Sequence, residues 1–146
     1  MAYCKIKTEI EILDNKGQRQ QHTLLNTLTS VTELMVQEFD IAADGTQIIW
    51  DPTTWTGMQI SAFDRMILYA DGTLDVELTI NEGHASEELI SFRLIKDVPF
   101  ILGSNIAYYG HSGGSAFAGT PDVIDKIRVD EPNTSARKVT TILVDA

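Results

Sequence analysis

The stretch Leu74-Asp75-Val76-Glu77-Leu78-Thr79-Ile80 decides the fold class, because apolar and polar residues alternate along its whole length. Alternation with a period of two is typical of a β-strand that has one face in a core and the other in solvent. The dipeptide Asp71-Gly72 comes shortly before it, and the apolar segment 65–70 comes before that dipeptide. Asp-Gly is a favoured loop of two-residue hairpins, so the sequence predicts a β-hairpin centred on Asp71-Gly72.

Similar signals recur on both sides of this segment. Further strands are predicted at 3–13, 31–41, 46–50, 123–129 and 138–144, and the short apolar run at 99–102 is another candidate. Together with the two strands of the hairpin these make eight, and residues 87–95 would make a ninth. In the strand at 31–41, Leu34 and Val36 form the predicted apolar face. Residues 87–95 fit a strand or a helix capped by Ser86, and the β-like flanks favour the strand.

The N-terminal segment alternates as clearly as residues 74–80. Residues 3–13 place Cys4, Ile6, Thr8, Ile10 and Ile12 on one face and Lys5, Lys7, Glu9 and Glu11 on the other. The polar residues 19–22 are predicted to form a loop. Residues 1–22 therefore fit two alternatives, the first strand of the core or an extended N-terminal arm.

The pattern as a whole predicts an all-β protein. It contains no confident helix and no alternation of strands with helices, and no linker divides it, so we expect one domain over residues 1–146. The expected architecture is an antiparallel β-sandwich or jelly roll with an extended N-terminal strand or arm.

Composition excludes several classes of function. The 146 residues carry a formal net charge of −10, which argues against a nucleic-acid partner, since such a partner requires basic charge. Almost all of that net charge lies in residues 32–92. No apolar run is long enough for a membrane span and no secretory signal is visible, so no membrane partner is expected. Cys4 is the single cysteine and cannot form an internal disulfide.

One motif suggests catalysis, and its context argues against it. Gly110-His111-Ser112-Gly113-Gly114 matches the G-x-S-x-G pattern of α/β-hydrolases. That fold needs alternating strands and helices and a histidine after the serine, whereas no histidine follows Ser112. We therefore expect no enzymatic activity, no catalytic residue, no metal ligand and no cofactor.

The remaining candidates are residues suited to contacts with other molecules. Tyr3, Lys5 and Lys7 lie on the N-terminal strand, and Trp55, Tyr108, Tyr109 and His111 lie in segments predicted as loops. Aromatic side chains in loops serve as anchors at protein interfaces or as platforms for sugars.

Three stretches carry a family resemblance. They are residues 63–72 (FDRMILYADG), 98–103 (VPFILG) and 118–129 (AGTPDVIDKIRV), followed by Glu131-Pro132-Asn133 and a terminal strand. Together they span roughly residues 60–146, and this part of the chain resembles small β-rich virion proteins of tailed bacteriophages, such as capsid decoration (cement) proteins.

The resemblance implies a structural protein that stabilises the head lattice of a virion through protein–protein contacts. Its implied partners are the major capsid protein or other virion proteins, and its implied state is a homo-oligomer, with a trimer favoured. Assembly would take place in the host cytoplasm. The alternative is a tail, baseplate or fibre module, which could bind host glycans.

Overall fold

A computed structural model of the chain describes residues 2–13, 19–54, 60, 62–80, 82–83, 87–102 and 124–146. These residues form ten β-strands. The strands are β1 (Tyr3–Leu13), β2 (Arg19–Thr29), β3 (Glu33–Ile41), β4 (Thr46–Trp50), β5 (Arg65–Ala70), β6 (Leu74–Ile80), β7 (Glu88–Leu94), β8 (Phe100–Leu102), β9 (Ile124–Asp130) and β10 (Arg137–Asp145).

Strands β3 to β10 form two four-stranded antiparallel sheets. The first sheet has the order β3-β10-β5-β8 and the second has the order β4-β9-β6-β7. The pairs are nested along the chain, since β3 pairs with β10, β4 with β9, β5 with β8 and β6 with β7. Successive pairs alternate between the two sheets, and this is the topology of an eight-stranded jelly roll. The prediction of an all-β sandwich or jelly roll is confirmed.

An apolar core fills the space between the sheets. The strands of the two sheets contribute alternate residues to it, as the pleat of a strand requires. The most deeply buried apolar residues include Ile41, Met66, Leu68 and Leu143 from the first sheet and Ile49, Leu74, Val76, Leu94, Ile127 and Val129 from the second. The predicted inward residues of β6 are confirmed, because Leu74, Val76, Leu78 and Ile80 are all buried.

The ambiguous segment at 87–95 is a strand, as favoured. Ile90 and Phe92 are half-buried and Leu94 is buried, whereas Ser91 and Arg93 are exposed. Phe92 also stacks on Phe100, with ring centroids 4.2 Å apart.

The predicted hairpin at Asp71-Gly72 is wrong. Strands β5 and β6 belong to different sheets, so these residues carry the chain from one sheet to the other. Neither residue has a positive φ, although a type I′ hairpin turn would require it. The chain is held here by contacts with β10 instead: the Asp71 N–H donates to the Lys138 carbonyl, and the Asp71 carboxylate accepts the Lys138 N–H.

The glycine at position 72 has a structural explanation other than a hairpin turn. A Cβ at this position would lie 2.2 Å from Cδ of Arg137. Arg137 crosses the glycine towards Glu131, a fully buried carboxylate, with Nε 3.6 Å from Oε2. The other carboxylate oxygen of Glu131 accepts the Asn133 N–H at 2.7 Å. Glycine therefore leaves room here for the Arg137 side chain in this position.

The prediction of a loop at residues 19–22 is also wrong. These residues begin β2, which pairs with β1 over eleven residues as a separate two-stranded sheet. The N-terminal arm of the fold is therefore a hairpin that extends to Thr29. Polar residues are compatible with a strand here, because one face of the hairpin is exposed to solvent.

The apolar face predicted for 31–41 is inverted. Met35, Phe39 and Ile41 are buried in the core, whereas Leu34 and Val36 face solvent. Both alternating sets of this strand contain large apolar residues, so the sequence pattern does not distinguish the core face from the outer one.

Candidate interaction surfaces

The β1–β2 hairpin is the first candidate surface. Its register pairs Tyr3 with Thr29 and Leu13 with Arg19, and neither strand pairs with either sheet of the sandwich. Hydrogen bonds from Thr32 to Asp145 join its base to the sandwich, one from the main-chain N–H and one from the hydroxyl, both at 2.9 Å. A two-stranded sheet alone is marginally stable in water, so a hairpin of this kind gains stability when a partner covers it.

One face of the hairpin carries the predicted contact residues. The structure places Tyr3, Lys5 and Lys7 together on it, opposite Thr29, Thr27 and Leu25 of β2. Tyr3 is 68% exposed and Leu25 is 56% exposed. Tyr3, Lys5, Leu25, Thr27 and Thr29 line a shallow concavity of about 400 Å³. Cys4 and Ile6 are half-buried on the opposite face, so the predicted alternation is confirmed for these two residues.

The charges on this face are unevenly balanced. Lys7 pairs with Glu9 at 2.5 Å, and Arg19 pairs with Glu11 at 2.6 Å, nearer the end of the hairpin where Leu13 faces Arg19. Both pairs are exposed, so each contributes little to stability. Lys5 has no ion pair within the part of the chain that the structure describes, and the base of the hairpin is therefore its more basic end.

The four other predicted contact residues, Trp55, Tyr108, Tyr109 and His111, lie outside the described residues. Their roles stay as sequence-based predictions.

The second candidate surface is the outer face of the first sheet, which the sequence did not reveal. Strand register aligns Val36, Ile142, Ile67 and Ile101 in one row across all four strands. Val36 is 61% exposed, Ile101 is exposed, and the two central residues are half-buried. We call these four residues the apolar row. An exposed, contiguous apolar patch on a soluble protein commonly marks an interaction site.

Polar groups border the apolar row. The adjacent cross-strand row contains Glu38, Thr140 and Tyr69, and Tyr69 donates a hydrogen bond to Asp97 at 2.9 Å. This hydrogen bond and the negative charge of Asp97 raise the pKa of Tyr69. Lys138 lies beyond them and pairs with Glu38 at 2.5 Å and with Asp40 at 3.4 Å. Asp97 in turn pairs with Lys96 at 3.9 Å, so the carboxylates beside the row have cationic partners.

The outer face of the second sheet differs, because its charges pair with one another. Arg93 donates two hydrogen bonds to Asp75, at 2.6 and 2.9 Å, and Arg128 pairs with Glu77 at 2.8 Å. The hydrogen bond from Arg93 lowers the pKa of Asp75. A broad depression of about 530 Å³ lies over these residues. Its charged groups already have partners, so this face is a solvated ion-pair surface.

A buried acidic residue lies at the end of β4. Asp51 accepts hydrogen bonds from the Thr53 N–H, the Thr53 hydroxyl and the Thr54 hydroxyl, and it lies 3.9 Å from Lys126. Burial alone would raise its pKa, but these hydrogen bonds and the Lys126 charge together lower it. Lys126 also pairs with Glu82.

The described residues contain no group of three or more His, Cys, Asp or Glu side chains arranged to hold a metal ion. Within the same ranges, no helix is long and apolar enough to cross a membrane.

Comparison with known proteins gives little further guidance. No protein-family model matches the chain, and no curated protein sequence matches it. Among solved structures, the chain is similar to the cupin domain of Cnp3 from Schizosaccharomyces pombe, with a TM-score of 0.40 and 12% sequence identity. That match covers 96% of this chain and 84% of the cupin chain.

Proposed function

We propose that this protein is a structural component of a larger assembly and acts by adhering to neighbouring protein subunits rather than by transforming a substrate. The observation that carries the proposal is the β1–β2 hairpin, an eleven-residue ladder outside both sheets. Its exposed edges and its exposed side-chain face suit main-chain pairing or face packing with another protein.

We propose further that the assembly is a tailed-bacteriophage virion, in which the protein decorates the capsid and stabilises the head lattice. The resemblance of residues 60–146 to virion proteins of this class supports the proposal. A jelly roll alone does not decide between functions, because enzymes, lectins and capsid proteins share it. Many copies bound to one lattice would convert weak single contacts into lasting attachment.

The experiment uses virions of the phage that encodes this chain. Heads and tails are separated from purified particles and probed with an antibody against the protein. Heads assembled without it are then incubated with the purified protein and heated. We expect the protein on heads, and heads that release their DNA at a higher temperature when it is bound. Its presence on tails alone would favour the tail or baseplate alternative, and its absence from virions would overturn the proposal.

A further inference from the structure

Strand β1 has an outer edge with which no other strand pairs among the described residues. Its inner edge pairs with β2 over eleven residues, and neither sheet of the sandwich continues the ribbon. Along such an edge every second residue directs its N–H and C=O groups outward, so the edge can pair with a further strand. Charges on an edge strand often prevent such pairing, so the pattern of charges on β1 decides which strands it can accept.

The charges of β1 are arranged antisymmetrically about Thr8. Lys7 precedes Thr8 by one residue, and Glu9 follows it by one. Lys5 precedes it by three residues, and Glu11 follows it by three. All four charged side chains are exposed. A strand with this arrangement is complementary in charge to an antiparallel copy of itself.

We propose that the outer edge of β1 pairs antiparallel with the same edge of a second copy, with Thr8 at the two-fold axis. This inference rests on the proposed function, since it names a partner for the same adhesive hairpin. In this register Lys7 faces Glu9 of the second copy. Lys5 likewise faces Glu11 of that copy, and the symmetry repeats both pairs.

Other pairings of the same edge bring like charges together. A parallel contact in register would place Lys5 and Lys7 against the same lysines of the second copy. An antiparallel contact shifted by two residues would place either Lys7 or Glu9 against itself at the axis. Like charges directly opposite one another destabilise a sheet, so the charges select the register centred on Thr8. Strand β2 offers no equivalent edge, since it contains no acidic residue.

The ion pairs within the hairpin are compatible with this contact. Lys7 pairs with Glu9 of its own strand at 2.5 Å, and Arg19 reaches Glu11 from β2, on the other side of β1. Both pairs are exposed and contribute little on their own, and a carboxylate can accept hydrogen bonds from two neighbours. Lys5 has no ion pair within the described part of the chain, and it gains one in the proposed contact.

The contact also removes the marginal stability of the isolated hairpin. Two hairpins joined through β1 form one four-stranded antiparallel sheet in place of two separate ribbons. Three or more strands are what a sheet needs to be stable in water. The Tyr3 end of one strand then lies beside the Leu13 end of the other, so the two sandwiches are attached at opposite ends of the new sheet.

The test uses the full chain in sedimentation velocity experiments. We expect the wild type to form a dimer that grows no further, because an isologous contact closes after two copies. The acidic variant is Lys5→Glu with Lys7→Glu, and the basic variant is Glu9→Lys with Glu11→Lys. Each places like charges opposite one another, so we expect each to dimerise at least about tenfold more weakly than the wild type. All four side chains are exposed, so the sandwich should fold normally in both variants.

A mixture of the two variants provides the sharpest outcome. Every charge on β1 of the acidic variant then faces an opposite charge of the basic variant, so we expect a one-to-one dimer about as strong as that of the wild type. A third variant combines all four substitutions, which exchanges the two signs and keeps the net charge. It should dimerise with itself and pair only weakly with the wild type.

The control is Arg93→Glu with Lys96→Glu. It changes the net charge by the same amount as the acidic variant, at two exposed side chains on β7 and just after it. We expect this control to dimerise like the wild type.

A wild type that is a monomer or a trimer, a dimer that the substitutions leave unchanged, or a mixture that stays monomeric would overturn the inference. None of these results bears on head binding, which the virion experiment measures separately. A monomer that still binds heads removes only the inference, and a dimer that is absent from virions removes only the proposed function.

Discussion

Gly72 and Arg137 form a coupled pair in which the small residue makes room for the large one. Gly72→Ala would place a methyl group against the Arg137 side chain and displace it from the buried Glu131 carboxylate. We expect a loss of about 2 kcal/mol in the free energy of unfolding, measured by urea denaturation, since a buried carboxylate then lacks its cation.

The control for this prediction is a double-mutant cycle. Arg137→Ala removes the same cation, so Gly72→Ala should cost much less in the Arg137→Ala background than alone. Equal costs in the two backgrounds would show that the glycine is required for another reason.

Asp51 links stability to pH. Because the folded-state pKa lies below the ordinary value of 3.8, folding favours the ionised carboxylate. The resulting stabilisation is fully present above that ordinary value and is lost as the pH falls through the folded pKa. We therefore expect Asp51→Asn to be less stable than the wild type at pH 7, and the difference to shrink below about pH 4.

A second variant separates this linkage from a general loss of packing. Thr54→Val removes one hydrogen-bond donor and should move the pKa of Asp51 upward, measured by carbon NMR of the carboxyl group. If the pKa of Asp51 is unchanged in Thr54→Val, the hydrogen bond from Thr54 does not lower it.

Strand β3 shows how register selects between two apolar faces. Met35 is 3% exposed and Val36 is 61% exposed, although they are neighbours in sequence. We expect Met35→Ala to cost about 2–5 kcal/mol and Val36→Ala to stay within about 0.5 kcal/mol by urea denaturation. Similar losses of stability in Met35→Ala and Val36→Ala would contradict the register of β3 on β10.

The hairpin should be the least protected β-structure of the isolated protein. In hydrogen exchange by mass spectrometry, we expect β1 and β2 to exchange about tenfold faster or more than β5, β6 and β10, because no third strand among the described residues pairs with them. Protection of these residues on assembly would follow if a partner covers the hairpin. If the hairpin is as well protected as β5, β6 and β10 in the isolated protein, it is not a marginally stable element.

Local patterns predicted strands well and their partners poorly. The alternation of Leu74, Val76 and Leu78 marks a half-buried strand wherever its neighbours lie, so β6 was predictable. The Asp71-Gly72 turn signal is local, and it does not distinguish a hairpin from a crossing between sheets, which depends on distant contacts with β10.

The same reasoning applies to the candidate surfaces. Tyr3, Lys5 and Lys7 could be predicted to share a face because they alternate along one strand. The apolar row joins residues from four strands that are far apart in sequence, and only the register aligns Val36, Ile142, Ile67 and Ile101. No single segment carries that signal.

For the whole molecule, we expect cooperative folding to require the sandwich but not the hairpin. Strand β10 lies between β3 and β5, whereas the hairpin pairs with neither sheet. We expect deletion of residues 137–146 to abolish the cooperative thermal transition, and deletion of residues 1–29 to preserve it, as followed by circular dichroism. Loss of the transition in both truncations would show that the hairpin completes the folding unit.

The nested order of pairing also affects synthesis. Strands β3 and β5 leave the ribosome long before β10, the strand that lies between them. Until β10 has been made, that strand cannot fill the centre of the first sheet or help to cover the core residues Met35, Phe39 and Leu68. The acid-rich middle of the sequence is translated during this same interval, and its mutual repulsion would help to keep growing chains on one polysome apart.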